Sequence, residues 1–188
     1  WYHNIELTDC NGGDVKALEG FIKNSGDLLL LDMDINYNGQ VDILELGWQF
    51  WENGRLIHWI CQKVPSPFYF YEYDCGLGGS IPDEIGNLDA LIKLRLQSNQ
   101  LTGIVPQAIC NLNILNDGAY WFNLENNHLC PPYPECISEN AIGEQDTSEC
   151  SFGCTDTTAC NYDSTATDDE GLCLYAIDIY GVFYLDCQ

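Results

Sequence analysis

The chain is constrained most by residues 88–106, where apolar residues recur with a spacing that is neither helical nor alternating. They fill the pattern L-x-x-L-x-L-x-x-N-x-L-x-G-x-I-P-x-x-I. The matching positions are Leu91, Leu94, Leu96, Asn99, Leu101, Gly103, Val105, Pro106 and Ile109. Part of the pattern occurs 24 residues earlier, from Leu77, and part occurs 28 residues later, up to Leu129. One such coil cannot bury its own apolar face, so the copies are expected to stack between two caps.

These residues resemble the plant-type leucine-rich repeat, most specifically in the turns LTGIVP and GGSIP. The resemblance implies an α/β solenoid, short and right-handed, with about three coils and parallel strands on its concave side. The leucines would fill a shared core, and Asn99 would bond the backbone at the turn. Relatives are mostly extracellular recognition modules, but their ligands are too varied to transfer to this chain.

Residues 34–45 fit the twelve-residue EF-hand loop, in which oxygen ligands at fixed positions surround a calcium ion. The predicted ligands are Asp34, Asn36, Asn38, Gln40 through its carbonyl, Asp42 and Glu45. Gly39 would make the sharp turn, and Val41 would supply an apolar contact. Helices over residues 14–22 and 44–52 are predicted to flank the loop. The alternative is an Asn- and Gly-rich surface turn; calcium is favoured because every ligand position is filled.

The cysteine count points to an oxidising compartment. Eleven cysteines without a C-x-x-C pair indicate disulfides and predict a secreted protein. Cys75 occupies the position that Asn99 holds one coil later, so a bridge to Cys61 would staple the N-terminal cap. Two bridges are expected among Cys110, Cys130, Cys136 and Cys150, for which three connectivities are possible, and two among Cys154, Cys160, Cys173 and Cys187. This partition leaves Cys10 free or joined to another chain.

Four segments are predicted along the chain. They are an EF-hand-like N-terminal cap (1–54), the repeats with disulfide caps (55–137), a polar linker (138–152) and an acidic cysteine-rich module with a terminal strand (153–188). Residues 129–136 and 144–150 resemble the C-terminal cap of secreted bacterial proteins of this repeat class. Residues 153–173 resemble an acidic cysteine repeat of secreted, often aquatic, bacterial proteins. Asp156, Asn161, Asp163, Asp168 and Asp169 offer a second calcium site or are solvated acids, with neither favoured.

The concave face of the repeats is a candidate binding surface. It is predicted to carry Ile92, Lys93, Arg95, Gln97 and Ser98, with residues 55–60 as the first strand. The face would bind an acidic partner or, as the favoured interpretation, holds ordinary solvated strand positions. No aromatic row for stacking sugars is predicted there. His58 and His128 are expected to be structural, and Trp48 and Trp51 are expected to lie in the core.

Composition narrows the function classes. Six basic and 29 acidic residues give a net charge of −23, which disfavours nucleic acid or an anionic membrane and favours cations. No apolar run reaches the ~20 residues of a membrane span. Nucleophile-elbow, zinc-protease and phosphate-loop motifs are absent from the sequence, which predicts a protein that is not an enzyme, although a glycosidase-like carboxylate pair remains open.

The two termini suggest self-association. Residues 1–7 and 176–185 read as apolar, aromatic strands without an evident partner in the chain, and an exposed strand edge is a template for pairing. The favoured function is therefore a calcium-binding extracellular structural protein that assembles with copies of itself, as a fibre or surface layer. The alternative is a recognition module that binds a protein or a glycan.

Overall fold

A computed structural model describes residues 6–62, 74–114 and 120–151. Beyond these ranges it describes residues 153, 154, 156–160, 162, 163, 166 and 173. The predicted strand at 176–185 lies outside the described residues, as do residues 1–5 of the predicted N-terminal strand. Leu7 belongs to a 3₁₀ turn, Leu7–Asp9. Self-pairing through the terminal strands therefore stays a prediction.

The first helix, α1 (Gly12–Ser25), confirms the helix predicted over residues 14–22. Asn11 caps its start by accepting hydrogen bonds from the N–H groups two and three residues along the chain. Such a side chain satisfies donors that a helix start leaves unpaired. The helix ends at Gly26, whose φ of +52° favours glycine. The buried residues of α1 are Asp14, Ala17, Leu18, Phe21 and Ser25.

The second predicted helix, over residues 44–52, is wrong. The chain there forms β1 (Trp48–Glu52), which pairs antiparallel with β2 (Arg55–Ile60). Asn53 and Gly54 join the strands at φ values of +50° and +76°. Asn-Gly is a preferred sequence for a two-residue hairpin turn in which both residues have positive φ. The tryptophan-rich segment therefore extends a sheet, and the N-terminal cap combines a helix with a hairpin.

The repeats build two sheets. In the four-stranded sheet, ordered β1-β2-β4-β6, β4 (Lys93–Arg95) lies parallel to β2 and to β6 (Phe122–Asn123). The three-stranded sheet contains β3 (Gly78–Ser80), β5 (Gln100–Ile104) and β7 (His128–Cys130), all parallel. Parallel strands from successive repeats are compatible with the predicted repeat architecture. The first strand predicted at residues 55–60 is confirmed as β2.

One hydrophobic core runs through the helix, the hairpin and the repeats. The side chains at the repeat positions Leu91, Leu94, Leu96, Leu101, Val105 and Ile109 are at most 2% exposed. Phe21 of α1 meets Trp59 of β2 edge to face at 4.9 Å, so the helix closes the core at the first strand. Fully burying one such side chain contributes about 1.5–3 kcal/mol. Trp51 is buried as predicted, whereas Trp48 is only half-buried.

Buried asparagine side chains link neighbouring segments of the repeat region. Oδ1 of Asn99 accepts the N–H of Leu77 at 3.0 Å, and Nδ2 donates to the carbonyls of Cys61 and Leu96 at 2.6 and 2.9 Å. Asn127 makes the equivalent bonds one coil later, with Leu101, Leu96 and Leu124. The predicted role of Asn99 at the turn is confirmed. We call this series the amide ladder.

The C-terminal end of the amide ladder is Gln145. Its side chain accepts the N–H of Leu129 at 3.2 Å and donates to the carbonyls of Leu124 and Ile142. Helix α2 (Glu139–Ile142) buries its last two residues in the shared core. The interpretation of residues 138–152 as a polar linker is therefore wrong over this part, which caps the last repeat.

The disulfides agree with the predicted partition. The bridges are Cys61–Cys75, Cys110–Cys136, Cys130–Cys150 and Cys154–Cys173, with Cα–Cα distances of 5.4, 5.7, 5.8 and 4.8 Å. Cys160 is also disulfide-bonded. Cys10 is a free cysteine, as expected. Burial, followed by the charges of Asp9 and Asp14, raises the pKa of the Cys10 thiol.

Candidate functional site

The loop at residues 34–45 is organised by its first and last acidic residues. The carboxylate of Asp34, 9% exposed, accepts the N–H groups of Asn38 at 3.1 Å and Gly39 at 2.7 Å. Gly39 has a φ of +86°, the left-handed conformation that the sharp turn requires. Oε1 of Glu45 accepts two N–H groups from the start of the loop, and Oε2 accepts the N–H of Asp42 at 3.0 Å. The two carboxylates therefore fold the loop around a common centre.

Two amides converge on a third carboxylate in this loop. Nδ2 of Asn36 lies 2.8 Å from Oδ2 of Asp42, and Nδ2 of Asn38 lies 3.1 Å from the same oxygen. Amide oxygen and nitrogen exchange places by a 180° rotation of the side chain. The rotated amides would present oxygens beside the Asp42 carboxylate, and a hard cation prefers such oxygens. In the present orientation Oδ1 of Asn36 and Oδ1 of Asn38 each accept a backbone N–H of the loop, so the rotation would give up two bonds, and calcium binding stays a prediction.

The loop is anchored to the core but is not flanked by two helices. It follows a 3₁₀ turn, Leu31–Met33, and ends in another, Ile43–Glu45, which leads into β1. Val41 is 7% exposed and packs into the core, as predicted. Across the described residues, no three His, Cys, Asp or Glu side chains form a metal-binding group. The loop itself offers only three carboxylates, since its other predicted ligands are amide and carbonyl oxygens.

Calcium binding gives a direct stability prediction. Calcium that binds only the folded loop stabilises the protein by mass action, by about 2.7 kcal/mol at a concentration of 100 Kd. Chelation should then lower the melting temperature by roughly 5–10 °C. Glu45→Gln should abolish the calcium response, whereas Asp32→Asn, an equal charge change just outside the loop, should retain it. Calorimetric melts with calcium and with chelator measure both; identical melts and no metal in dialysed protein would refute the site.

A second candidate surface is the side of the four-stranded sheet that faces away from the core. Trp59, Leu94 and Phe122 point into the core, so their neighbours along each strand point outward. Antiparallel pairing places Trp48 opposite Ile60 and Phe50 opposite His58 on the same side. The outward face is defined here as Trp48, Phe50, His58, Ile60, Lys93, Arg95 and Asn123, with Tyr120 and Trp121 at its edge.

The outward face is rich in aromatic and cationic contacts. Trp48 stacks on His58 with ring centroids 6.0 Å apart, and Phe50 lies 5.6 Å from the same ring. Nζ of Lys93 lies 4.1 Å from the centroid of Tyr120, a cation–π contact. The pKa of His58 is lowered by burial and, to a smaller extent, by the charge of Lys93. His58 is therefore neutral at pH 7, and the charge of the face comes from its lysine and arginine.

The structure corrects part of the predicted concave set. Lys93 and Arg95 lie on the outward face, and Ile92, 49% exposed, precedes their strand. Gln97 is 7% exposed, and Ser98 has a turn conformation with φ of +59°, so neither is a solvated strand position. The predicted set contains no aromatic residue, and the structure adds aromatic side chains to this face from β1 and from Tyr120 and Trp121. The alternation of outward and inward side chains in β1 was the signal for this.

Two further sequence predictions concern His128 and the acidic module. Nε2 of His128 lies 3.9 Å from a carboxylate oxygen of Asp146. Hydrogen bonds from Ser148 lower the pKa of Asp146, and the electrostatic effect of His128 lowers it to a smaller extent. Of the five oxygen-bearing residues in the acidic module, Asp156 and Asp163 are described, and Oδ1 of Asp156 accepts the N–H and hydroxyl of Thr158. A second calcium site there remains a prediction.

Comparison with known families identifies one repeat. Residues 90–112 match the family model for the Leucine Rich Repeat, within the segment that carries β4 and β5. No curated protein matches the chain. No helix among the described residues is long and apolar enough to cross a membrane. The matched repeat suggests a protein-interaction module, a class that generally lacks enzymatic activity.

Proposed function

We propose that this chain is an extracellular protein-interaction module, built as a short leucine-rich-repeat solenoid, whose outward face binds a partner protein. The observation that carries the proposal is the cluster of Trp48, Phe50, Lys93 and Arg95 on the four-stranded sheet, which includes β4 of the matched repeat. Tryptophan, tyrosine and arginine are the residues that most often dominate binding energy at protein interfaces. The disulfides fit an oxidising, extracellular compartment.

Calcium has a structural role in this proposal. The loop at residues 34–45 ends three residues before Trp48, and the carbonyl of Leu46 accepts the indole N–H of Trp59 at 2.9 Å. Nε2 of Gln49 donates to the carbonyls of Ile43 and Leu46 at the loop's end. A loop closed by calcium would therefore fix the position of β1, the strand that brings Trp48 and Phe50 to the outward face.

The proposal is tested with peptides selected from a random display library against the whole chain in millimolar calcium. Trp48→Ala is expected to weaken their binding by about 30-fold, the effect of losing an aromatic anchor of at least ~2 kcal/mol. The control is Gln100→Ala, an exposed position of β5 in the other sheet, which should leave binding unchanged. Melting curves verify that both variants fold. Peptides that bind the Trp48→Ala variant as tightly as the original chain would refute the proposal.

Self-association through the termini is retained as a second proposal from sequence, because the terminal strands lie largely outside the described residues. If it holds, calcium between acidic surfaces would offset the repulsion expected from a net charge of −23. Light scattering of the same calcium-containing samples, with and without residues 1–7, distinguishes it from binding by a monomer. A monomer that is unaffected by the deletion would contradict self-association.

A further inference from the structure

We infer that the outward face selects an acidic peptide segment and that Lys93 binds its carboxylate. The inference rests on the proposed function of this face and adds the chemistry of the partner. Nζ of Lys93 lies 4.1 Å from the ring centroid of Tyr120 and 5.5 Å from that of Trp121. A lysine ammonium has three N–H donors and no acceptor. The ring faces attract its charge but leave donors for an anionic ligand.

The outward face carries positive charge in a strongly acidic chain. The sequence has 29 acidic residues for six basic ones, so carboxylates are available to neutralise any lysine or arginine. Arg55 forms ion pairs with Asp14 and Asp89, whereas the described lysines, Lys16, Lys23 and Lys93, form no ion pair with other described residues. Within the described part of the chain, Lys93 pairs with no carboxylate and contacts aromatic rings instead. Lys93 differs from the exposed lysines of α1 in lying against aromatic rings on the outward face, so a carboxylate bound there would meet a cation and apolar walls together.

A peptide fits the outward face better than a sugar ring does. Glycan recognition by stacking needs flat, accessible aromatic faces. Here one face of Trp48 is stacked on His58, and one face of Tyr120 is covered by the Lys93 ammonium. Tyr120 and Trp121 stand perpendicular to each other, with an interplanar angle of 89°. Such crossed rings form walls for extended side chains rather than a platform, and the matched repeat also favours a protein partner.

Electrostatic forces act on an acidic partner in opposite directions at long range and at contact distance. The net charge of −23 repels an acidic partner at distances beyond the Debye length of about 10 Å, and this repulsion slows association. The attraction of Lys93 for a carboxylate acts at contact distance, where solvent ions screen it less than they screen the long-range repulsion. Bound complexes should therefore depend on Lys93 chiefly through their dissociation rate.

The test uses the random 12-residue peptide library on the whole chain and on Lys93→Gln. The original chain should enrich peptides that contain Asp or Glu, and a synthetic peptide of the enriched sequence should bind Lys93→Gln about tenfold more weakly. Replacing the peptide's acidic residues by Gln should cost a similar factor, and the two changes together should be far from additive. Lys23→Gln removes an exposed lysine from α1, with the same charge change, and should leave binding unchanged.

Each outcome decides a separate question. Peptides that lose affinity for Trp48→Ala but show no acidic preference would overturn the inference and leave the proposed function intact. Selected peptides that ignore both Trp48→Ala and Lys93→Gln would overturn the proposed function as well. A parallel arm uses polygalacturonate, an acidic polysaccharide. If it binds in a Lys93-dependent way while acidic peptides do not, the anion is a glycan and the peptide assignment is wrong.

Discussion

Replacing Asp14 with alanine is expected to lower the free energy of unfolding by about 3 kcal/mol. Asp14 is fully buried, and its carboxylate accepts bonds from Nε and Nη2 of Arg55 at 2.9 and 3.1 Å and from the N–H of Leu56 at 2.8 Å. Removing one partner of a buried pair typically costs about 3–5 kcal/mol because the other is left uncompensated. We expect the lower end because Arg55 is 31% exposed and keeps its contact with Asp89.

Asp89→Asn is the matched control for this prediction. It removes a carboxylate from the same guanidinium, but Asp89 has a side chain that is 58% exposed. Exposed ion pairs contribute about 0–1 kcal/mol, so the control should change stability by no more than that. The hydrogen bonds that Arg55 donates to both carboxylates raise its pKa above the usual value, with Asp14 making the larger contribution. Urea denaturation measures the two variants; equal losses would show that burial of Asp14 is not what stabilises this junction.

The part of the fold that follows the repeat pattern was predictable from sequence. The repeat leucines lie at fixed spacings, and each buries its side chain wherever its coil stacks on the next. The loop at residues 34–45 was also visible, since Gly39 has the required positive φ and Val41 enters the core. Whether calcium fills the loop stays a prediction. These features depend on residues that are close together along the chain, so one sequence is enough to predict them.

The hairpin was not predicted because the Asn53-Gly54 pair is compatible with two different structures. Asn53-Gly54 after a tryptophan-rich segment fits a helix C-terminus and also fits a hairpin turn. The register of the hairpin also skips Ile57, between the pairs Phe50–His58 and Trp51–Leu56. The strand β2 was nevertheless predicted, so the missed element is its antiparallel partner β1. Because residues 44–52 were predicted as a helix, the contribution of Trp48 and Phe50 to the outward face was not predicted.

The C-terminal cap was predicted only in part, because residues 144–150 resemble a cap of this repeat class but the roles of Gln145 and α2 were not predicted. Gln145 follows Asn127 by 18 residues, whereas the repeats are spaced by 24 and 28. A longer amide side chain performs the same bonding from a different backbone position, so no periodic signal marks it. The surrounding residues are polar in sequence, and only Ala141 and Ile142 enter the core. Tertiary contacts are needed to identify α2 and the bonding role of Gln145 as parts of the cap.

Replacing Asn99 with alanine should lower the free energy of unfolding by roughly 2–6 kcal/mol. The substitution leaves the N–H of Leu77 and the carbonyl of Cys61 buried without their partner, and each unsatisfied buried group costs about 1–3 kcal/mol. The carbonyl of Leu96 keeps its bond from Asn127, so it adds little. Asn123→Ala is the control: this asparagine is 7% exposed, but its side chain makes one local bond, to the N–H of Glu125. Its loss should cost about 1 kcal/mol. Denaturant titration followed by tryptophan fluorescence would measure both variants. If the two variants lose the same stability, the bonds of the amide ladder contribute no more than the single local bond of a buried amide.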